Sequence, residues 1–195
     1  EEGGITARYF SGLSRLRKLK LSGIRMMESD FEGLRNLEVL KIGRRVQCNI
    51  RFISVLINLN KLILRRSDDV VGSVGALYGL KNLRKLKFQL CCNLENFEGL
   101  NELTNLTDLS LDGYTGVRDC HITGLQNLQI LSLQSNQYIT GKSVSLLTNL
   151  TELDLRGNNR ITTKDLWPLK KLQKVRERDD RVYYFTPSAT QINAL

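Results

Sequence analysis

The residues of this chain that could do chemistry are few and scattered. Its one histidine, His121, directly follows Cys120, and the other cysteines are Cys48, Cys91 and Cys92. A thiol–imidazole pair requires the two side chains to converge, whereas neighbours on an extended chain point apart. A zinc site needs about four converging ligands; no C-x-x-C spacing occurs, so the cysteines read as reduced apolar fillers. Asp68-Asp69 and Asp179-Asp180 read as turn carboxylates rather than as a general acid/base pair. Gly72-Ser73-Val74-Gly75 lacks the Lys-Ser/Thr that completes a phosphate-binding loop, and no G-x-S-x-G is present. Without a nucleophile, base and orienting group in one pattern, the sequence argues against an enzyme and calls for no cofactor or metal.

The composition is that of a globular protein with one unusual component. The 195 residues are 41% hydrophobic and 25% charged, with 35 leucines and only 2 prolines. No apolar run approaches the ~20 residues of a membrane-spanning helix. Net charge is +9 and is uneven: residues 1–100 hold 18 Lys/Arg against 10 Asp/Glu, and residues 101–195 hold 11 against 10. An excess of this sign suits an acidic protein, nucleic acid or an anionic surface as partner.

The elements that position these charges follow from a repeat. The pattern L-x-x-L-x-x-L-x-L recurs with first leucines at Leu13, Leu34, Leu56, Leu80, Leu103, Leu125, Leu147 and Leu169, in steps of 21 to 24 residues. Ile42 and Phe88 replace the last leucine of their repeats, and the eighth copy reduces to Leu169, Leu172 and Val175. Two more columns agree. Three residues before each first leucine stand Phe10, Phe31, Ile53, Leu77, Leu100, Ile122, Val144 and Leu166. Six residues after each final apolar residue stand Met27, Cys48, Val70, Leu94, Val117, Ile139 and Ile161. Cys91 takes the place of a turn asparagine found at Asn136 and Asn158.

In L-x-L the side chains alternate, so Leu19 and Leu21 turn inward while Lys18, Lys20 and Ser22 turn outward. The remainder of each repeat must cross back over the core, and pairs such as Phe31 and Leu34 suit one helical turn. One such repeat cannot bury its own apolar face, so the units must stack. The expected fold class is α/β: a curved parallel sheet on the concave side, with short helical or irregular returns on the convex side.

With this periodicity the chain resembles the leucine-rich repeat superfamily from residue 10 to about 178. Phrases such as Leu103-Thr104-Asn105-Leu106-Thr107-Asp108-Leu109-Ser110-Leu111 are most similar to the phosphatase-regulator-like and internalin-like 22-residue classes. Residues 1–9 form a lead-in or the remnant of an upstream repeat, and 179–195 a cap. Arg181-Val182, Pro187, Ala189, Ile192 and Asn193 are spaced like the phosphatase-regulator cap, from which Thr186, Ala189 and Asn193 depart. An alternative is that the Val182-Tyr183-Tyr184-Phe185 run simply covers the open core. At the other end Phe10, Leu13 and Leu16 lack a polar lid, so the chain is expected to come from a longer array or to pair there.

Stacking turns the outward strand positions into ladders. Repeats one to four place Lys18, Lys20, Lys41, Arg44, Lys61, Arg65, Arg66, Lys85 and Lys87 on the concave wall; repeats five to seven place Asp108, Asp112, Glu152 and Asp154 there, with Arg156 as the one base. Strands ~4.8 Å apart bring like charges together at a cost in stability, which something must offset. Tyr114 is the nearest aromatic candidate for this wall, and Trp167 suits the convex side.

The resemblance implies a non-catalytic protein–protein interaction scaffold. Its basic patch would hold an acidic protein or peptide, and its acidic patch would set orientation. The alternative is a nucleic-acid-associated subunit whose lysine ladder binds phosphates, although single-strand binders usually interleave aromatics that these columns lack. Free thiols point to an intracellular location, cytoplasmic or nuclear. The sequons at Asn105 and Asn149 lie inside the repeated phrase and follow from repeat identity.

Overall fold

The computed structural model describes residues 10, 12–91, 93–113, 116–177 and 181–184. Among these, eight parallel strands follow one another in chain order along one sheet: β1 (Lys18–Leu21), β2 (Val39–Ile42), β4 (Lys61–Arg65), β6 (Lys85–Gln89), β8 (Asp108–Asp112), β9 (Ile130–Ser132), β10 (Glu152–Asp154) and β11 (Lys174–Arg176). A second, three-stranded parallel sheet runs beside the middle repeats, built from β3 (Cys48–Asn49), β5 (Val70–Ser73) and β7 (Leu94–Glu95). The last of the described strands, β12 (Val182–Tyr184), pairs antiparallel with β11.

The pairing is in register with the repeat. Leu19, Leu40, Leu62, Leu86, Leu109, Leu131, Leu153 and Val175 are partners in one row. A one-residue slip anywhere would turn that row from core to solvent, which is why the leucine spacing specifies the register. From Leu34 onward the L-x-x-L-x-x-L positions are buried and share one core with the convex column Phe31, Ile53, Leu77, Leu100, Ile122, Val144 and Leu166.

The returns are short segments of one or two turns rather than full helices. Three are α-helical: α1 (Glu28–Glu32), α2 (Gly141–Val144) and α3 (Thr163–Leu166). Among the described residues four more are 3₁₀ segments, at Ile50–Val55, Val74–Leu77, Leu100–Glu102 and Asp119–His121. Such short turns depend on caps for their free amides. Asn49 accepts from the Arg51 amide, Thr140 from Lys142, and Asp165 from Thr162. The Asp119 carboxylate reaches into the next repeat, accepting from the Thr140 amide (2.8 Å), the Thr140 hydroxyl (2.7 Å) and the Ser143 hydroxyl (2.6 Å).

Side-chain amides stitch neighbouring repeats together along the return. Asn36 donates to the Ser14 carbonyl, Asn58 to Arg35, Asn82 to Ile57, Asn105 to Lys81, Asn127 to Thr104 and Asn149 to Gln126, at 2.8 to 3.1 Å. Lys171 ends the column by donating to Asn149 Oδ1. The amide nitrogens of both sequons, Asn105 and Asn149, are thus structural donors. In the turn after the strand, Asn136 and Asn158 accept the amides of residues two and three further on. Cys91 fills the same slot with its thiol 3.4 Å from the Gln89 carbonyl, and Ser67 donates to Ile42 of the preceding repeat.

The first repeat corrects the sequence reading. Met26, 2% exposed, occupies the column expected for Met27, which is 57% exposed. The shorter 21-residue step between the first two repeats moves the inward position back by one. At the same end Phe10 is buried, Leu13 is 41% exposed and Leu16 and Leu19 are half-buried. Residues 1–9 fall outside the described residues. At the other end Tyr183, opposite Val175, packs against the core. The rest of the expected cap, Phe185 and Thr186 through Asn193, lies outside the described residues.

Candidate functional site: the concave wall

Three outward columns run across the sheet. The first reads Lys18, Val39, Lys61, Lys85, Asp108, Ile130, Glu152 and Lys174. The second reads Lys20, Lys41, Ile63, Lys87, Ser110, Ser132, Asp154 and Arg176. In the third, Arg65, Gln89 and Asp112 are partners. The structure therefore brings together Lys18, Lys20, Lys41, Lys61, Arg65, Lys85 and Lys87 on one wall. Arg44 and Arg66 stand apart: β2 ends at Ile42 and β4 at Arg65, so both lie in the turn on the wall's exit rim.

The charges within the wall are not all available. Asp108, 3% exposed, sits below two lysines of the preceding strand. Its Oδ2 is 2.6 Å from the Lys85 ammonium, and its Oδ1 faces the Lys87 ammonium at 3.0 Å, an ion pair lacking hydrogen-bond alignment. This carboxylate supplies part of the offset that the lysine columns require, and it is a correction to the sequence reading, which placed Asp108 on an exposed acidic patch. The rest of that patch is also engaged internally. Asp112 accepts from Ser110 (2.8 Å) and Ser132 (2.5 Å), the Arg156 guanidinium forks onto Asp154 at 2.8 to 3.2 Å, and Lys174 lies 3.6 Å from Glu152.

What remains is a positive field over repeats one to three. Lys61 lies within it: its pKa is below the usual lysine value, first because of desolvation and then because of Lys85, Lys41 and Lys87, with Asp108 acting the other way. The half-buried Val39 and Ile63 interrupt the lysines with small apolar patches. Repeat eight, which the sequence reading left out of the wall, adds Lys174 and the exposed Arg176. Tyr184 stands opposite Lys174 in the pairing of β12 and is exposed. An open hollow of about 280 Å³ lies over β6 to β11, with Lys87, Ser110, Ile130, Ser132, Gln134 and Arg176 among its lining. Tyr114 falls outside the described residues, and Trp167, on the return face, is 66% exposed.

The thiols divide by burial. Cys48 and Cys91 are buried and Cys120 is exposed, all free; desolvation pushes Cys48 up to about 12. His121 is occupied in its own turn, where Nδ1 accepts the Arg118 amide at 3.0 Å and the ring packs on Phe97. Among the described residues no group of three or more His, Cys, Asp or Glu is placed to hold a metal ion. No helix among them is long and apolar enough to cross a membrane.

No protein-family model matches this chain. Over 102 residues, 51% of the chain, it is 36% identical to disease resistance protein RGA5 of Oryza sativa subsp. japonica, and that match covers only 9% of the rice protein. Among solved structures, it is similar to an internalin, InlF, of Listeria monocytogenes (TM-score 0.70, 23% identity, 94% of this chain and 53% of that one). It is similar to a chain of the Drosophila Toll–Spatzle complex (TM-score 0.69, 18% identity, 84% and 23%). It is also similar to the leucine-rich repeat protein LIC12759 of Leptospira interrogans (TM-score 0.65, 22% identity, 86% and 52%). The shared feature is the fold, an α/β leucine-rich repeat solenoid, and the chain spans about half or less of each of these proteins.

Proposed function

We propose that this leucine-rich repeat solenoid is a non-catalytic binding scaffold whose concave wall receives an acidic protein segment over repeats one to three. The observation that carries the reading is the adjacency of Lys18, Lys20, Lys41, Lys61 and Arg65 on neighbouring strands, where Asp108 engages only Lys85 and Lys87. Like charges ~4.8 Å apart repel, and an anionic occupant relieves that repulsion. Charge complementarity of this kind raises association rate and selects among partners. Val39 and Ile63 supply apolar contact between the lysines, which suits a polypeptide better than a phosphate backbone. The likeness to a chain of a complex between Toll and Spatzle accords with a protein partner. The free thiols at Cys48, Cys91 and Cys120 support a reducing compartment, cytoplasmic or nuclear.

The competing occupant is nucleic acid, whose phosphates would contact the same lysines. Among the described residues of the three outward columns, no aromatic stands in the strands of repeats one to seven to stack a base. The test is titration of labelled polyglutamate and of labelled RNA and duplex DNA at two salt concentrations. Wild type is compared with a Lys20→Glu/Lys41→Glu/Lys61→Glu variant whose fold is checked by circular dichroism. Binding of polyglutamate that the variant loses by tenfold or more supports the scaffold. Tighter binding of RNA or DNA, with about 0.9 of log–log salt slope per neutralised duplex phosphate, replaces it with the nucleic-acid reading. Equal binding of all three by wild type and variant removes the wall from function.

A further inference from the structure

In repeats one to seven the turn that follows the wall strand places one residue in the left-handed region. In repeats one, five and seven it is glycine: Gly23 (φ +63°), Gly113 (φ +76°) and Gly157 (φ +70°). The same position is Arg66 (φ +52°) in repeat three, Leu90 (φ +54°) in repeat four and Ser135 (φ +58°) in repeat six, and in repeat two the left-handed residue is Arg45 (φ +56°), one place later. A left-handed conformation is costly for any residue with a Cβ, and a bulky aliphatic one is unusual there. Leu90 adds a second cost, because its side chain is 60% exposed. Neither cost is explained by packing, since the leucine is absent from the core that takes the neighbouring Phe88 and Cys91.

Its location supplies a reason. Arg65 and Gln89 are register partners, so Arg66 and Leu90 stand side by side on the exit rim, about one strand spacing apart. The Arg66 amide donates to the Gln89 carbonyl at 2.8 Å, which locks the two turns together. The same two strands carry Lys61 and Lys85. Other exposed apolar residues, such as Tyr78 and Trp167, sit on the return segments, where the backbone is ordinary.

We propose that Leu90 and Arg66 form a rim anchor that selects an acidic segment carrying an apolar side chain, which packs on Leu90 while its carboxylates meet Arg66 and the lysine wall. The inference rests on the scaffold reading and narrows it, since polyacid alone satisfies the wall but not the rim. A sequence that retains leucine where glycine relaxes the turn accepts lower stability in exchange for a contact surface.

The test uses an array of Asp/Glu-rich 12-mer peptides, half of them with one Leu, Ile or Phe, together with thermal melts of the protein. Wild type should prefer the apolar-containing peptides about tenfold. Leu90→Gly should raise Tm by about 2–4 °C, as relief of roughly one strained residue does in a chain of this size, while removing that preference. Leu90→Gln keeps the strained turn and should also lose the preference, with little change in Tm. Both variants should bind polyglutamate like wild type. Retained preference in Leu90→Gly and Leu90→Gln overturns the anchor and leaves the wall reading intact. Failure of wild type to bind any acidic peptide at low salt overturns both.

Discussion

Asp108 and Lys85 occupy the same column on adjacent strands, and the carboxylate lies 2.6 Å from the ammonium while being almost withdrawn from water. The pair shows how a run of like charge is tolerated: one buried acid engages two lysines of the preceding repeat. It also marks where the positive field ends.

Asp108→Asn should therefore move two quantities in opposite directions. Loss of the ion pairs destabilises the fold by about 2 kcal/mol, read by urea denaturation. Release of Lys85 and Lys87 should tighten binding to polyglutamate several-fold at low salt. Unchanged affinity in the folded variant would show that these two lysines take no part in the wall.

The amide column on the return makes a separate prediction. Asn82→Ala and Asn127→Ala should each cost about 0.5–1.5 kcal/mol, because each leaves a carbonyl of the preceding repeat without its donor. Amide hydrogen exchange should show faster opening in the repeats on either side of the substitution than at distant ones.

Two glycines at one repeat position should respond oppositely. A Cβ on Gly124 would sit 2.8 Å from the Asn101 carbonyl oxygen, so Gly124→Ala should cost about 1–3 kcal/mol. Nothing lies within 4 Å of a Cβ on Gly79, and its φ is not positive. Gly79→Ala should be neutral or stabilise by up to about 1 kcal/mol, both measured by thermal melting.

His121 provides a pH test. Its pKa is lowered by burial, with Glu98 opposing and Arg118 adding to the shift. The folded state thus prefers the neutral ring, and the unfolded chain binds more protons as pH falls below 6.5. Stability should drop from that point until the lower folded pKa is passed, then level off. Protonation at Nδ1 also removes the acceptor of the Arg118 amide. His121→Gln should flatten the change in Tm between pH 7.5 and 5.5; an identical slope would assign the effect elsewhere.

The neighbourhood of Lys20 and Lys41 was legible in the sequence because alternation within L-x-L and a near-constant step leave one register. Arg44 and Arg66 fall in the wall only if the strand runs two residues past Ile42 and one past Arg65; charge type alone does not distinguish a last strand residue from a turn. The burial of Asp108 had a sequence signal, since an acid follows Lys61 and Lys85 in one column, but exposure depends on which side chains lean over it. The asparagines from Asn36 to Asn149 recur one residue before the second leucine and were equally visible. Their role as inter-repeat donors needs the offset between successive turns, which periodicity does not give. Met26 displaced Met27 because one shortened step rotates the inward position.

The reversed direction of β12 bears on how such a chain can lengthen. A parallel strand docked on β11 would compete for the edge that Val182–Tyr184 already uses. Gene duplication that adds modules is thus accommodated by insertion between existing ones, where both flanking surfaces have the right polarity, and is resisted immediately after the eighth.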